Sequence, residues 1–194
     1  MTGIYLHIGA RIHGRFDPRQ DYAAAMKTLD ATLTADEKFP GRAQARELRE
    51  DCSRKLKARE LREEAAQQMK DGHMKRALKT LNEALELDPD NAEAQADEIL
   101  ADKKLKAGKA KKQARKEMDS GDFAKALSTL DGGSKLDPDD EAFASLKEEA
   151  ERKSEGAGLF VCANTEQEMG QLDDAIEKFK QVRGHIIGHA RNNV

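Results

Sequence analysis

The residues that most often carry chemistry are few in this chain of 194 residues. His185 and His189 lie four residues apart, which would place both imidazoles on one helix face, the spacing of a two-histidine metal site. No third ligand accompanies them, and Gly184 and Gly188 weaken a helix there. We therefore interpret them as surface histidines, and the sequence predicts neither a metal nor a cofactor.

The two cysteines and one glycine pair do not form a recognisable catalytic centre. Cys52 and Cys162 lie far apart within helical patterns, so we expect reduced, buried thiols. Gly132 and Gly133 fall inside a helical pattern that lacks the surroundings of a phosphate-binding loop. We therefore predict that the protein is not an enzyme. Free thiols favour an intracellular, reducing compartment, the cytoplasm first, with the nucleus or an organelle as alternatives.

A basic segment at residues 103–116 is the strongest candidate for recognition, because eight of its fourteen residues are cationic and none is acidic. The cations are Lys103, Lys104, Lys106, Lys109, Lys111, Lys112, Arg115 and Lys116. Such a segment can bind an acidic peptide, an RNA or an acidic lipid surface, and it resembles a nuclear-import tract. No aromatic residue lies among the lysines, so stacking on single-stranded bases has little support.

The alternative is that these cations pair with acids of the same chain and keep one helix face solvated. Four acids lie close by in sequence, Asp97, Glu98, Asp102 and Glu117, and the stretch 137–151 is rich in acids. We favour this alternative, and keep the eight cations and Arg62 as candidate partner-binding residues.

The elements that position these residues are helices. The stretch Ala58–Asn91 predicts two helices that join at Asp71 and Gly72, and the second ends before Pro89. Aromatic residues make up 4% of the chain and charged residues 37%, which indicates thin helical layers rather than a broad core. No apolar run reaches the length needed to span a membrane.

This hairpin recurs along the chain. Residues 20–30, QDYAAAMKTLD, match residues 121–131, GDFAKALSTLD, at six of eleven positions. Related segments begin at Gly72 and Gly170, each 49 residues from Gly121. Four copies at a nearly constant period predict an α-solenoid of helical hairpins.

On these residues the chain resembles the tetratricopeptide repeat (TPR) family, over about residues 4–183. The shared features are a small residue in the first helix, a glycine at the turn, an alanine and then a large apolar residue in the second helix, and a closing proline. The small residue is Gly9, Ala65, Ala114 and Ala163 in successive copies, and the turn glycine is Gly72, Gly121 and Gly170. The alanine of the second helix is Ala25, Ala77, Ala126 and Ala175, and the large apolar residue is Leu29, Leu81, Leu130 and Phe179. The closing proline is Pro89 and Pro138. The resemblance implies an all-α, TPR-like superhelix that binds proteins, with Arg62, Lys111 and Arg115 on its peptide-binding face.

The chain departs from the family in two respects. Gln68 and Glu117 stand where the family often has tyrosine, and the period is 49 residues instead of about 34. The extra residues are helical in composition, so each set is either a third helix or an extension of the next helix into a long rod. We expect alternating short and long helices, with a bend or break near Gly108 and near Gly156 and Gly158.

We therefore predict one TPR-like helical repeat domain that covers residues 1–194. Its repeats are at about 4–38, 58–91, 107–140 and 156–187, with helical extensions at about 42–57, 92–106 and 140–155.

The two ends of the chain raise separate questions. Residues 1–16 contain Arg11 and Arg15 and no acid, a composition that organellar transit peptides share. The same residues place Ile4, Ile8 and Ile12 at a four-residue period, and we favour the first helix of a repeat. Near the other end, the apolar pair at 186–187 would pack on a further subunit, belong to a longer protein, or fold back on the last hairpin, and we favour contact with a further subunit.

Together these features predict a non-catalytic scaffold or adaptor for protein–protein interaction, as a subunit or assembly factor of a larger complex. Its partners would be one or more proteins, those with acidic segments first, or another copy bound through the chain ends. The alternative function is a nucleic-acid-associated helical repeat protein that uses residues 103–116.

Overall fold

The structure is a computed structural model that describes residues 18–35 and 40–187. All regular secondary structure in these ranges is α-helical. The helices are α1 (Pro18–Ala35), α2 (Arg42–Lys70), α3 (Met74–Leu87), α4 (Ala92–Asp119), α5 (Phe123–Leu136), α6 (Ala142–Glu168) and α7 (Leu172–Ile187). The predicted all-α class, helical hairpins with alternating long and short helices, is confirmed. None of the described helices is both long and apolar enough to cross a membrane.

The three long helices are unbroken. Helices α2, α4 and α6 contain 29, 28 and 27 residues, so the extensions at 42–57, 92–106 and 140–155 lengthen the helices that follow them. The predicted break near Gly108, Gly156 and Gly158 is wrong. A helical glycine costs only about 1 kcal/mol, and packing along both halves of each long helix outweighs that cost.

Glycines end the long helices in the same way three times. Gly72, Gly121 and Gly170 have φ values of 79°, 83° and 80°, the left-handed conformation that glycine adopts without strain. At the first of these turns, the amide of His73 donates to the carbonyl of Gln68 at 2.8 Å, which closes a Schellman-type helix end. The predicted glycine turns are therefore confirmed.

Two compact units make up the fold, and their boundary, between Asp102 and Lys103, lies inside α4. In the first unit α2 packs on α1 and α3, and the first half of α4 joins α2 and α3 in a shared core. That core contains Ala65, Ala77, Leu81, Ala94 and Ala101, with Met69, Leu78 and Leu85 packed against it. Because alanine dominates it, the helices can approach one another closely.

The second unit has the same organisation. The second half of α4 packs with α5 and the first half of α6, and α6 also packs on α7. Its core contains Ala107, Ala114, Met118, Ala126, Leu130, Phe143, Leu146 and Ala150, with Phe123, Leu127 and Leu136 packed against it.

The sequence period of 49 reappears in the burial pattern of the long helices. Each long helix buries two residues seven positions apart in its first half and two more in its second half. The equivalent sets are Ala45, Cys52, Ala58 and Ala65 in α2; Ala94, Ala101, Ala107 and Ala114 in α4; and Phe143, Ala150, Gly156 and Ala163 in α6. A long helix therefore contacts the short helix before it with one half and the short helix after it with the other.

Gln68 and Glu117, 49 residues apart in sequence, make equivalent polar contacts between a long helix and the short helix after it. The hydroxyl of Thr80 donates to Gln68 Oε1 at 3.1 Å. The hydroxyl of Thr129, 49 residues later, donates to Glu117 Oε2 at 2.7 Å. In the last hairpin, the pair at the equivalent positions is Lys178 and Glu166.

One sequence expectation needs correction, and several others fall outside the described residues. Cys52 is buried as predicted, but Cys162 is exposed, because the adjacent Ala163 occupies the packed position of that helical turn. The predicted helix or transit segment at 1–16 and the histidine at 189 lie outside the described residues. So do the side chains at 185–187.

Candidate functional site

The cations of the basic segment lie on different faces of α4. All eight belong to the second unit. Lys104 and Lys111, seven residues apart, are partly buried beside the core positions Ala107 and Ala114. The other six cations are exposed. The helix therefore divides the segment into an inner pair and an outer set.

The inner pair binds acids of the same unit. Lys104 Nζ lies 3.6 Å from Asp137 Oδ2, and Lys111 Nζ donates to Asp140 Oδ2. The hydrogen bond from Lys111 lowers the pKa of Asp140, and the charge of Lys104 adds to that effect. These are ion pairs with the stretch 137–151, as the pairing interpretation of the segment predicts.

Arg62 has the same role in the first unit, at the position 49 residues before Lys111. Its Nε donates to Asp97 Oδ2 at 2.7 Å, and its NH1 donates to Glu93. Both cations thus connect the second half of one long helix to the start of the next. Arg62, Lys104 and Lys111, predicted as partner-binding residues, therefore make contacts within their own units.

The outer set contains one regular row. Lys109, Lys112 and Lys116 follow one another at spacings of three and four, so they lie along one face of α4. All three are exposed, and within the described part of the chain none has an ion-pair partner within 4.0 Å. Lys103, Lys106 and Arg115 are exposed around this row.

A second candidate surface lies on the last hairpin and has no counterpart in the sequence predictions. Of the seven exposed large apolar side chains among the described residues, five belong to α6, α7 and the turn between them. They are Phe160, Val161, Met169, Leu172 and Ile176. We call these five residues the terminal apolar face.

Equivalent residues of the preceding hairpin show what is unusual about this face. Phe123 and Leu127 lie 49 residues before Leu172 and Ile176, and both pack against the core of the second unit. Leu172 and Ile176 are instead 59% and 52% exposed. The repeat alignment could have identified this face, because the last copy keeps large apolar residues at positions that a following helix covers elsewhere.

A groove of about 390 Å³ lies among α5, α6 and α7. Its apolar lining comes from Phe123, Gly156, Ala157, Phe160 and Val182, and Arg152 and Lys153 contribute cationic side chains. We call it the α6–α7 groove. The ring of Phe160 contacts that of Phe179 edge to face, with the centroids 5.9 Å apart, so its position in the groove is fixed by packing.

Within the described residues no three potential metal-ligating side chains come together. Comparison with protein-family models, with curated proteins and with solved structures gives no match. The resemblance to the TPR family therefore stays a prediction.

Proposed function

We propose that this protein is a non-catalytic, TPR-like scaffold or adaptor that binds other proteins, as a subunit or assembly factor of a larger complex. The observation that carries this proposal is the terminal apolar face. Large exposed apolar side chains that are concentrated on one helical hairpin, rather than occurring singly, are typical of protein-binding surfaces. The thiols of Cys52 and Cys162 are free, which supports a reducing compartment.

The packing of the preceding hairpin also supports this function. Its equivalent side chains, Phe123 and Leu127, pack against the core of the second unit, whereas Leu172 and Ile176 are exposed. Exposure of such an apolar face to water is unfavourable. Covering it with another chain would stabilise the assembly by roughly 25 cal/mol for each Å² of apolar surface removed from water. Protein binding at the last hairpin would remove this cost.

Cross-linking mass spectrometry on the protein purified from the cells that make it tests the proposal. We expect cross-links between partner proteins and α6–α7, and their loss in the Leu172→Ser, Ile176→Ser variant. The matched control is Ile99→Ser, Leu100→Ser, which removes two exposed apolar side chains of the first unit. Absence of any cross-linked partner, or equal loss in both variants, would contradict the proposal.

A second candidate function is association with nucleic acid through the row Lys109, Lys112 and Lys116. The observation that favours it is that these three exposed cations have no ion-pair partner in the described part of the chain. If each lysine contacts one phosphate of a single-stranded RNA, a plot of the logarithm of the binding constant against the logarithm of the salt concentration has a slope of about −2.

A salt titration of RNA binding distinguishes this second candidate. Replacing the three lysines with glutamine should reduce the slope to near zero. Replacing three exposed lysines of the first unit, Lys57, Lys75 and Lys79, changes the net charge equally and should leave the slope unchanged. Equal effects of the two variants would indicate binding through overall charge alone.

A further inference from the structure

The α6–α7 groove has a counterpart 49 residues earlier in the same unit, and there the next long helix fills it. The residues equivalent to Phe160 and Val182 are Lys111 and Gly133. Lys111 Nζ lies 5.4 Å from the ring centroid of Phe143. A Cβ placed on Gly133 would lie 2.5 Å from the same ring. The first buried residue of α6 thus occupies the counterpart of the groove.

The segment that would fill the groove has a recognisable pattern. Each of the three long helices buries one residue near its start and a second residue seven positions later. The pairs are Ala45 and Cys52, Ala94 and Ala101, and Phe143 and Ala150. The second residue is always small, which allows the incoming helix to approach the hairpin closely.

The lining of the groove determines how large the first buried residue of an incoming helix can be. Phe143 packs against Gly133, the smallest residue, and its ring lies beneath the ammonium group of Lys111. In the α6–α7 groove, valine and phenylalanine replace that glycine and lysine. Because the groove already contains an aromatic ring and a larger aliphatic side chain, it fits an incoming alanine, as at Ala94, better than a second phenylalanine.

The cations of the long helices indicate that the incoming helix carries an acidic residue before this alanine. Lys104 pairs with Asp137, six residues before Phe143. Lys55, the equivalent of Lys104, pairs with Asp51 of its own helix and also lies within the electrostatic field of Asp88, six residues before Ala94. The next equivalent cation is Lys153, which lines the groove and pairs with Glu149 of its own helix at 2.7 Å, as Lys55 pairs with Asp51. The sequence has isoleucine at 186, where these acids would recur, so the acid has to come with the incoming segment.

From these contacts we propose that the α6–α7 groove binds an amphipathic helix of a partner protein, with an acid six residues before a buried alanine and a second small residue seven residues after it. The partner helix takes the place that the next long helix has in the preceding repeat. This inference rests on the proposed scaffold function and names the chemistry of its partner.

A synthetic peptide that copies residues 88–104 is the probe, because it carries Asp88, Ala94 and Ala101 at the required spacing. Labelled peptide is titrated with the full chain and followed by fluorescence anisotropy. We expect saturable binding that weakens about tenfold or more with the Ala94→Phe peptide and with the Asp88→Asn peptide at low salt.

Variants of the protein locate the bound peptide. Phe160→Glu and Ala157→Glu, two lining residues, should each weaken binding about tenfold or more. Ala157 does not take part in the ring contact with Phe179, so its variant keeps that packing. Thr165→Glu adds the same charge at an exposed position of α6 that belongs neither to the groove lining nor to the terminal apolar face, and it should leave binding unchanged. Circular dichroism and urea midpoints confirm that the variants fold.

Four results would overturn the inference. They are no saturable binding; equal binding to the groove variants and to wild type; binding that needs removal of residues 188–194, which would make the chain's own end the occupant; and self-association that Phe160→Glu abolishes, which would make a second copy the occupant. Partner cross-links on α6–α7 that persist without peptide binding would leave the scaffold function in place and remove only this groove.

Discussion

Gly133 shows at the level of single atoms how tightly the second unit packs. It lies in the middle of α5, where glycine is normally unfavourable, and a Cβ there would lie 2.5 Å from Phe143 and 2.8 Å from Ala110. The glycine is therefore needed because the two long helices on either side of α5 approach it. The sequence pattern indicated only that this glycine pair does not bind phosphate.

Substitution of the two adjacent glycines tests this packing. We expect Gly133→Ala to lower the free energy of unfolding by about 1–3 kcal/mol, because the added methyl group overpacks the core. Gly132→Ala is the matched control, since nothing lies within 4 Å of the position that its added methyl group would take, and it should raise stability by up to about 1 kcal/mol. Urea unfolding followed by circular dichroism measures both. Equal effects would contradict the close approach of Phe143.

Glu117 gives the second unit a defined dependence on pH. Hydrogen bonds from Gln113 and Thr129, with a smaller effect of Lys125, lower the pKa of its buried carboxyl below the ordinary value of 4.5. A carboxyl with a lowered pKa binds fewer protons in the folded state, so its stabilisation is complete above pH 4.5 and is lost as the pH falls through the folded-state pKa.

We expect the free energy of unfolding to decrease below pH 4.5, and Glu117→Gln to make that decrease shallower because the variant cannot titrate. Thr129→Val removes one donor to the carboxylate and should also reduce the pH dependence. Urea unfolding at a series of pH values from about 6 to about 3 measures both slopes. An unchanged slope in Glu117→Gln would show that other carboxyl groups dominate acid unfolding.

At the scale of helices, ion pairs tie the start of each long helix to the preceding one. Arg62 of α2 contacts Glu93 and Asp97 of α4, and Lys111 of α4 contacts Asp140, just before α6. From the sequence these cations were candidate partner-binding residues. Composition alone does not show which acids of the same chain lie opposite a given helix face. The repeat period of 49 residues could have predicted these pairs, because equivalent cations are followed by equivalent acidic segments.

Replacement of Arg62 tests the role of this contact. We expect Arg62→Met to lower stability by about 1 kcal/mol, the upper part of the range for partly exposed ion pairs, and to speed amide hydrogen exchange in the first turns of α4. Arg54→Met is the control, because the pair of Arg54 with Asp51 lies within α2 itself. Faster exchange at α4 in both variants would contradict a specific connection through Arg62.

The helices themselves were predictable, and their continuity was only partly so. Glycine turns and apolar spacing located α3 and α5 because those signals are local and strong. The helical composition of the extensions left open whether they formed separate helices. The alternative of unbroken rods was realised because Ala58, Ala107 and Gly156 bury the middle of each rod. Whether such a position is buried depends on the neighbouring helix, which local sequence does not specify.

At the scale of the whole molecule, repetition predicts how stability is distributed. Leu81 and Leu130 are equivalent, fully buried leucines, one in the core of each unit. In a repeat protein whose elements contact only their neighbours, the loss of one core residue should act mainly on its own unit. The apolar spacing in the sequence predicted that both leucines are buried, but not that a unit boundary lies between them.

We therefore expect Leu81→Ala and Leu130→Ala each to lower the free energy of unfolding by about 2–5 kcal/mol. The effect on hydrogen exchange should differ: Leu81→Ala should speed exchange in α2 and α3, and Leu130→Ala in α5 and α6. Because the two sites share no core, the double variant should show the sum of the two losses within about 0.5 kcal/mol. Hydrogen exchange followed by mass spectrometry, with the same pulse for all three variants, makes the comparison. Faster exchange across both units in either single variant would mean that the chain unfolds as one cooperative body, despite the boundary inside α4.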